Sequence, residues 1–270
     1  MIFVFGNNIE GQCGIANGED FILKPISIPI NIIDPSKVCR IICSSNSTFI
    51  IYNDGSLYSA GAGEIGRTGK RSIFQRIDSI EVFQIVDACL GEGFFNLCTK
   101  DMKLIGCGKN ELGTLGNGTR DNRDKPKLNT NFPEDVLMVQ SGLNHVIVLT
   151  KKGNIFAFGD NRNGQLGDGL FQSIANPTVP IQQLRHRPII SISCGSEYTI
   201  AMTITGNLYS WGRNNVGQLG DQYYYYYYSY YYYDYYYDYY YYYCLGLGDF
   251  VTRLRPELIR LIFLVIFIHY

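Results

Sequence analysis

A ten-residue glycine pattern that recurs about every fifty residues constrains the fold of this 270-residue chain more than any other feature. Five segments fit the pattern x-G-x-x-x-x-G-x-x-G without gaps, and their leading glycines lie 55, 47, 51 and 53 residues apart. Such a period is typical of repeat architectures, in which each copy forms one structural unit. We expect these glycines to be structural turn residues, and they are Gly6, Gly11, Gly14, Gly61, Gly66, Gly69, Gly108, Gly113, Gly116, Gly159, Gly164, Gly167, Gly212, Gly217 and Gly220.

The residues around the glycines predict β-structure. After the first copy, each leading glycine follows a short alternating segment, and a turn joins that segment to a second strand-like run upstream. The predicted hairpins pair 47–52 with 56–60, 94–99 with 103–107, 145–150 with 154–158 and 198–203 with 207–211. The proline-containing stretches 24–30 and 176–184 predict edge strands, where a missing N–H is tolerated.

A unit of about four short strands cannot bury both of its faces alone, and stacked units leave only short, protected edges. No long helical pattern interrupts residues 1 to 220. We therefore predict an all-β fold, a β-propeller of about five to six four-stranded blades. The predicted divisions are propeller repeats at 1–221, a low-complexity tyrosine-rich insertion at 222–243, a partial repeat at 244–260 and an apolar C-terminal tail at 261–270.

The last two divisions leave alternatives open. Residues 223–243 contain eighteen of the twenty-three tyrosines, which we interpret as a looped-out expansion; an aromatic adhesive or a phosphorylation platform is the alternative. The tail is shorter than the about 20 residues of a membrane helix. It is interpreted as a buried closing strand, a membrane-touching tail or sequence unrelated to the repeats.

Composition excludes several classes of function. A net charge of −1 gives no basic field, so binding to nucleic acid through phosphate neutralisation is not expected. The eight cysteines include no C-x-x-C pair and there are three histidines, so neither a metal site nor a cofactor is predicted. Because the first residues do not resemble a signal peptide, we expect an intracellular protein, cytoplasmic or nuclear, with reduced thiols. A membrane partner is not expected.

No arrangement of side chains predicts catalysis, so we expect no enzyme. His145 is interpreted as a packing or turn-bonding residue rather than a general base, and Trp211 as a core residue. Polar, arginine-bearing loops suit recognition of a partner. The candidate contacts, for which turn capping is the alternative, are Asp160, Asn161, Arg162, Arg213, Asn214 and Asn215.

The chain resembles the regulator of chromosome condensation repeat family. SGLNHVIVLTKKGNIFAFGDNRNGQLGDG, at 141–169, matches the family pattern almost throughout, and CGSEYTIAMTITGNLYSWGRNNVGQLGD, at 194–221, matches with Tyr198 in place of the histidine. Ser47 and Phe94 take that histidine position in looser copies. The resemblance implies a propeller that has seven blades in typical members, so this one is expected to be incomplete relative to that norm.

The resemblance also implies two functions. One is a non-catalytic protein-interaction propeller with a regulatory or scaffolding role and a protein partner. The alternative is guanine-nucleotide exchange on a Ran-type small GTPase, in which a propeller face stabilises the nucleotide-free state. No segment matches the β-wedge of exchange-active members, so no catalytic residue is carried over. Neither function predicts the partner's identity or the oligomeric state.

Overall fold

A computed structural model describes residues 1–16, 18–62, 72–177, 179–220 and 253–258. The strands in these residues are β1 Phe3–Asn7, β2 Phe21–Ser27, β3 Val38–Cys43, β4 Ser47–Tyr52, β5 Leu57–Gly61, β6 Gln75–Arg76, β7 Ile85–Leu90, β8 Phe94–Thr99, β9 Leu104–Gly108, β10 Arg123–Leu128, β11 Val136–Ser141, β12 His145–Thr150, β13 Ile155–Gly159, β14 Ile189–Cys194, β15 Tyr198–Thr203, β16 Leu208–Gly212 and β17 Arg253–Leu258. Short 3-10 helices lie at Pro35–Lys37, Asp78–Ile80 and Gln182–Leu184.

The strands form antiparallel meanders in chain order. The sheets β3–β6, β7–β10 and β14–β17 have four strands each, β11–β13 has three, and β1 pairs with β2 alone. The predicted hairpins are present as β4–β5, β8–β9, β12–β13 and β15–β16. The prediction of an all-β fold of four-stranded units is therefore confirmed.

The two proline-containing segments behave differently. Pro25 lies in β2, as predicted for an edge strand. The prediction of a strand over 176–184 is wrong, because β13 instead has one bridge between Gly159 and Ile174 on that side. One further hydrogen bond runs from the Ile181 N–H to the Ile155 carbonyl oxygen at 2.8 Å. Prolines leave too few donors for a continuous ladder there.

The four sheets that contain a predicted hairpin each have a β-bulge at the same position of their first strand. In each of these strands the pairing register shifts directly after the first paired residue. The next paired residues are Arg40 in β3, Asp87 in β7, Met138 in β11 and Ser191 in β14. A bulge bends the strand and increases its twist. The repetition of this irregularity shows that the copies share a backbone geometry as well as a sequence pattern.

The core consists of apolar clusters between consecutive sheets. Phe49 and Ile51 of β4 pack against Ile85 and Leu97 of the next sheet, and Trp211 lies fully buried in the cluster between β11–β13 and β14–β16. Further clusters fill the other two junctions. Burying one such side chain contributes about 1.5–3 kcal/mol to the free energy of unfolding. Apolar contacts between the faces of neighbouring sheets therefore hold the sheets together.

The segment β17 completes the last described sheet. Tyr209 of β16 pairs with Leu258, and Gly212 pairs with Arg253. The described part of the predicted partial repeat is thus the fourth strand of the sheet that carries the 211–220 copy. The tyrosine-rich insertion, the tail 261–270, Gly66 and Gly69 lie outside the described residues, and the division boundaries stay predictions.

Candidate functional site

The leading glycines end the third strand of each sheet with one backbone conformation. Gly61, Gly108, Gly159 and Gly212 have φ between 103° and 105°. Each lies opposite the residue at the histidine position, which is Ser47, Phe94, His145 or Tyr198. An ideal Cβ would come within 2.6–2.9 Å of that residue's Cα atom. Only glycine fits both the positive φ and the close approach of the neighbouring strand.

In four of the five copies, a buried asparagine two residues after the leading glycine closes the loop; the copy at 60–69 has Gly63 at this position. The side-chain Oδ1 of this asparagine accepts a hydrogen bond from the backbone N–H five residues later, at 2.9–3.1 Å. The asparagines are Asn8, Asn110, Asn161 and Asn214. This bond replaces a missing backbone partner inside the turn. The residue whose N–H donates is itself buried, and these residues are Cys13, Leu115, Leu166 and Leu219.

The capping geometry revises the candidate contact residues. Asn161 and Asn214 are both fully buried, so their side chains close the loops and do not reach the surface. Sequence reasoning could not separate capping from contact, because asparagine serves both. The exposed or half-exposed candidates are Arg162, Arg213 and Asn215.

Arg162 is anchored by a buried carboxylate. Its Nε and Nη2 atoms donate to the two oxygens of Asp160 at 3.0, 3.1 and 2.9 Å, yet its side chain is 70% exposed and that of Asp160 only 2%. Burial acts to raise the pKa of Asp160, but the hydrogen bonds and the charge of Arg162 outweigh it and hold that pKa below its ordinary value. The hydrogen bond to Asp160 also raises the pKa of Arg162. The ionised pair fixes the position of the guanidinium.

Arg213 has an equivalent anchor on the next loop. Its Nη1 bonds to Glu197, and its Nε donates to Asn215 Oδ1 at 2.8 Å. Its side chain remains 43% exposed. Glu197 was not among the predicted residues, although in four copies the residue just before the histidine position accepts a backbone hydrogen bond from the residue after the leading glycine. Two positioned guanidinium groups thus lie on consecutive loops.

These loops share one end of the sheets with the turns between first and second strands. The Asp160 N–H donates to Asn144 O at 2.7 Å, and the Arg213 N–H donates to Glu197 O at 3.0 Å. The turns also bond to one another, from Glu92 N to Leu143 O and from Leu143 N to Ser196 O. We call this end the glycine-loop face, made of loops 8–16, 109–122, 160–173 and 213–220 and turns 44–46, 91–93, 142–144 and 195–197.

His145 lies beneath this face and is not placed for acid–base chemistry. It is fully buried, and its Nε2 lies 3.0 Å from Thr199 Oγ1 of the next sheet. Thr199 Oγ1 and Trp211 Nε1 both donate to Gln165 O. Burial lowers the pKa of His145 to about 4, against a smaller opposite effect from Asp160. The imidazole is therefore a neutral packing group that links two sheets.

One charged group was missed by the sequence reasoning. Asp87 is buried in β7, where it pairs with Arg40 of β3 and accepts a hydrogen bond from Val139 N of β11 at 3.1 Å. Burial raises the pKa of Asp87 despite these partners. A carboxylate within the apolar run IVDACL was the available signal. Its contacts tie three consecutive first strands together.

The described residues hold no group of three His, Cys, Asp or Glu side chains that could bind a metal ion. None of the helices in the same part of the chain has the length and hydrophobicity of a membrane-spanning segment. The geometry provides an exposed loop surface at one end of packed sheets.

Consecutive antiparallel meanders joined through apolar faces define a β-propeller repeat protein. The profile described as "Regulator of chromosome condensation (RCC1) repeat" matches residues 103–149 and 152–202, and a second profile of that description matches 189–218. The segments 103–149 and 152–218 therefore carry repeats that match the regulator of chromosome condensation repeat family.

Relatives and solved structures agree with this assignment. Human protein RCC2 is 39% identical over 125 residues, which are 46% of this chain and 24% of RCC2, so the chain spans about a quarter of that relative. Human WBSCR16 shares the fold with a TM-score of 0.75 at 20% identity, covering 96% of this chain and 62% of that one. Prp20p from Saccharomyces cerevisiae, described with its binding to Gsp1p and histones, has a TM-score of 0.67 at 21% identity over 80% of this chain and 54% of its own.

Proposed function

We propose that this chain is a non-catalytic interaction module that binds a protein partner through the glycine-loop face, in a regulatory or scaffolding role. The observation that carries the proposal is the pair of anchored arginines, Arg162 and Arg213, on consecutive exposed loops. Arginine is enriched where partners contact each other. A guanidinium already held in place loses less rotamer entropy on binding.

The test compares charge reversals at opposite ends of the sheets. Immobilised full chain captures proteins from an extract, and bound proteins are quantified for the unaltered chain, the double variant R162E/R213E and the control K152E. Lys152 lies in the β12–β13 turn, at the end away from the glycine-loop face, and its side chain is 71% exposed. We expect a bound partner to fall at least about tenfold in the double variant and to be retained by K152E. Equal retention by all three chains would remove this face from the proposal.

Nucleotide exchange on a Ran-type GTPase is the second candidate. It is supported by the fold shared with Prp20p, whose binding to Gsp1p was studied. An exchange factor accelerates release by binding the nucleotide-free state more tightly than the loaded state. Release of labelled GDP is measured for a panel of small GTPases that includes a Ran-type member, with R162E/R213E and K152E as variants. A release rate no faster than in buffer leaves the interaction module as the sole candidate.

A further inference from the structure

Two adjacent apolar side chains, Leu170 and Phe171, lie exposed on the loop 160–173 of the glycine-loop face. Each is 58% exposed, although the backbone around them is fixed. The amide of buried Asn161 donates to Leu170 O at 3.1 Å and to Gln172 O at 3.2 Å. Single exposed apolar residues are common on protein surfaces, but two bulky neighbours on a fixed backbone form a small apolar patch.

The preceding copy shows that the loop does not need these side chains in order to fold. There the amide of Asn110 donates to the carbonyl oxygens nine and eleven residues later, which is the same spacing as in the later loop. Leu170 therefore corresponds to Thr119. Phe171 corresponds to Arg120, and both residues of the earlier copy are exposed and polar. Because polar residues fit the same backbone, formation of the loop does not account for an exposed apolar pair.

Two guanidinium groups flank the apolar pair. Arg120 donates from Nη1 to Glu111 O at 2.8 Å and from Nη2 to Ser173 O at 3.1 Å, so it contacts the loop after the pair. Arg255 of β17 takes the space in which a Cβ on Gly169, the residue before the pair, would lie. Both arginines are exposed. We use the name arginine–apolar patch for the four side chains of Arg120, Leu170, Phe171 and Arg255.

The positive charge of this patch is not balanced by an ion pair. Within the described residues neither Arg120 nor Arg255 pairs with a carboxylate, unlike the two anchored arginines of the same face. The carboxylates of Asp168 and Glu111 instead accept hydrogen bonds from asparagine side chains of their own loops. Positive charge beside exposed apolar side chains favours a partner that is both acidic and apolar.

We propose that the arginine–apolar patch binds an extended segment of the protein partner in which an apolar side chain lies between acidic residues. The apolar side chain packs on Leu170 and Phe171, and the carboxylates pair with Arg120 and Arg255. The two arginines contact the loop four residues apart, at positions separated by at most about 14 Å. Carboxylates placed two residues to either side of the apolar residue cover that distance. The inference rests on the proposed function, because it specifies the partner's chemistry on the same face.

Peptide selection on the purified full chain tests this chemistry. A phage-displayed library of random peptides is selected on the immobilised chain, and the affinity of an enriched peptide is measured by fluorescence polarisation. We expect enriched peptides to carry an apolar residue between aspartates or glutamates. Their affinity should fall at least about fivefold between about 0.05 and 0.5 M NaCl, because salt screens exposed charges. Enriched peptides without acidic residues, or the absence of any enriched peptide, would overturn the proposal.

Replacement of the apolar pair locates the peptide. The variant L170T/F171S introduces small polar residues, of which threonine is the residue that the preceding copy has at the first position. It should fold like the unaltered chain, as circular dichroism would show, and should bind the enriched peptide at least about tenfold more weakly. The matched control V82T/I204S alters exposed apolar residues at the end away from the glycine-loop face and should bind normally. Undiminished binding by L170T/F171S contradicts the proposal.

Charge reversal tests the arginines of the patch separately. The variant R120E/R255E should weaken the same peptide at least about tenfold, whereas K151E/K152E, with the same change of net charge at the opposite end of the sheets, should bind normally. Equal weakening by both variants would show a general effect of net charge and would remove the patch from the proposal. If R120E/R255E unfolds, L170T/F171S decides the outcome.

Two further readouts identify other occupants of the patch. Hydroxyl radicals should oxidise Phe171 of the free monomer faster than fully buried Phe158, and the peptide should protect it. Slow oxidation in the free chain, or a dimer that L170T/F171S abolishes in sedimentation, would overturn the proposal by assigning the patch to this chain or to a second copy. In the extract experiment, a partner that is lost from R162E/R213E but retained by L170T/F171S removes this inference and leaves the proposed function standing. Failure of the proposed function appears instead as retention by R162E/R213E.

Discussion

The two-stranded sheet β1–β2 and the four-stranded sheet β7–β10 carry the same loop in different surroundings. Gly6 and Gly108 have φ of 105° and 103°, and both loops are capped by a buried asparagine. Only in β7–β10 does a second strand press against the leading glycine. The loop conformation is thus a local property of the ten-residue pattern, whereas its tight enclosure depends on a neighbouring strand.

The largest expected effect is at the enclosed glycine. Gly108→Ala adds a methyl group 2.6 Å from the Cα of Phe94 and strains φ, so we expect a loss of more than about 4 kcal/mol in unfolding free energy. Gly6→Ala adds the strain alone and should cost about 1–2 kcal/mol. Urea titration followed by circular dichroism measures both. Equal losses would mean that enclosure by the second strand is irrelevant.

The pH effect of a buried histidine should come from a sheet that has a second strand. Because burial lowers the pKa of His145 to about 4, the unfolded state binds the proton more tightly. The free energy of unfolding should be highest above about pH 6.5 and should decrease by about 2–3 kcal/mol as the pH falls to 4. His145→Phe, which introduces the residue type that Phe94 supplies at the same position, should remove this loss, and His186→Asn, on an exposed loop, should not. Persistence of the loss in His145→Phe would contradict the assignment.

The asparagine caps should differ in strength. Asn110 Oδ1 accepts from Leu115 N, and its amide nitrogen contacts Asn117, Thr119 and Asp121 at 3.0–3.2 Å. Asn8 has one bond in each direction, to Cys13 and Glu19. We expect Asn110→Ala to cost about 2 kcal/mol and Asn8→Ala about 1 kcal/mol. Thermal unfolding of the two variants checks the order, and a larger loss for Asn8→Ala would reverse the comparison.

The smallest effect concerns a turn that the two-stranded sheet lacks. Gly55, Gly153 and Gly206 close the turns between second and third strands with φ of 77–83°, but Met102 has φ 63° at the equivalent place in β8–β9. Met102→Gly should relieve that conformation and stabilise the protein by about 0.5–1 kcal/mol. A shift of the urea midpoint to higher concentration is the expected result. Destabilisation would show that the Met102 side chain contributes more than the strain costs.

Repeats and hairpins could be predicted because their causes lie within ten to fifteen residues. The strand alternation before Gly159, the turn at 151–153 and the buried Leu166 follow from local pattern, turn chemistry and hydrophobicity. The prediction of a strand at 176–184 was wrong because a proline-containing segment can lie beside an edge strand with or without forming a continuous ladder of hydrogen bonds. The choice between the two depends on the neighbouring sheet.

The candidate contacts show the same division between local and tertiary causes. Arg162 and Asn161 are adjacent polar loop residues, and nothing in their order reveals that one is exposed and the other fully buried. The structure separates them because Asn161 reaches Leu166 across the turn, while Arg162 turns outward and is held by Asp160. Glu197 reaches Arg213 from the turn before β15, sixteen residues away along the chain.

The amino-acid sequence by itself determined the repeat period, the all-β class and the glycine turns, because each depends on backbone preferences and alternation over short spans. The tertiary structure alone decided which polar residues reach the surface, that Asp87 bridges three sheets, and that 253–258 joins the sheet of the 211–220 copy. Those outcomes depend on strands that meet from distant parts of the chain. Their contacts stabilise particular side-chain positions only after the sheets have packed.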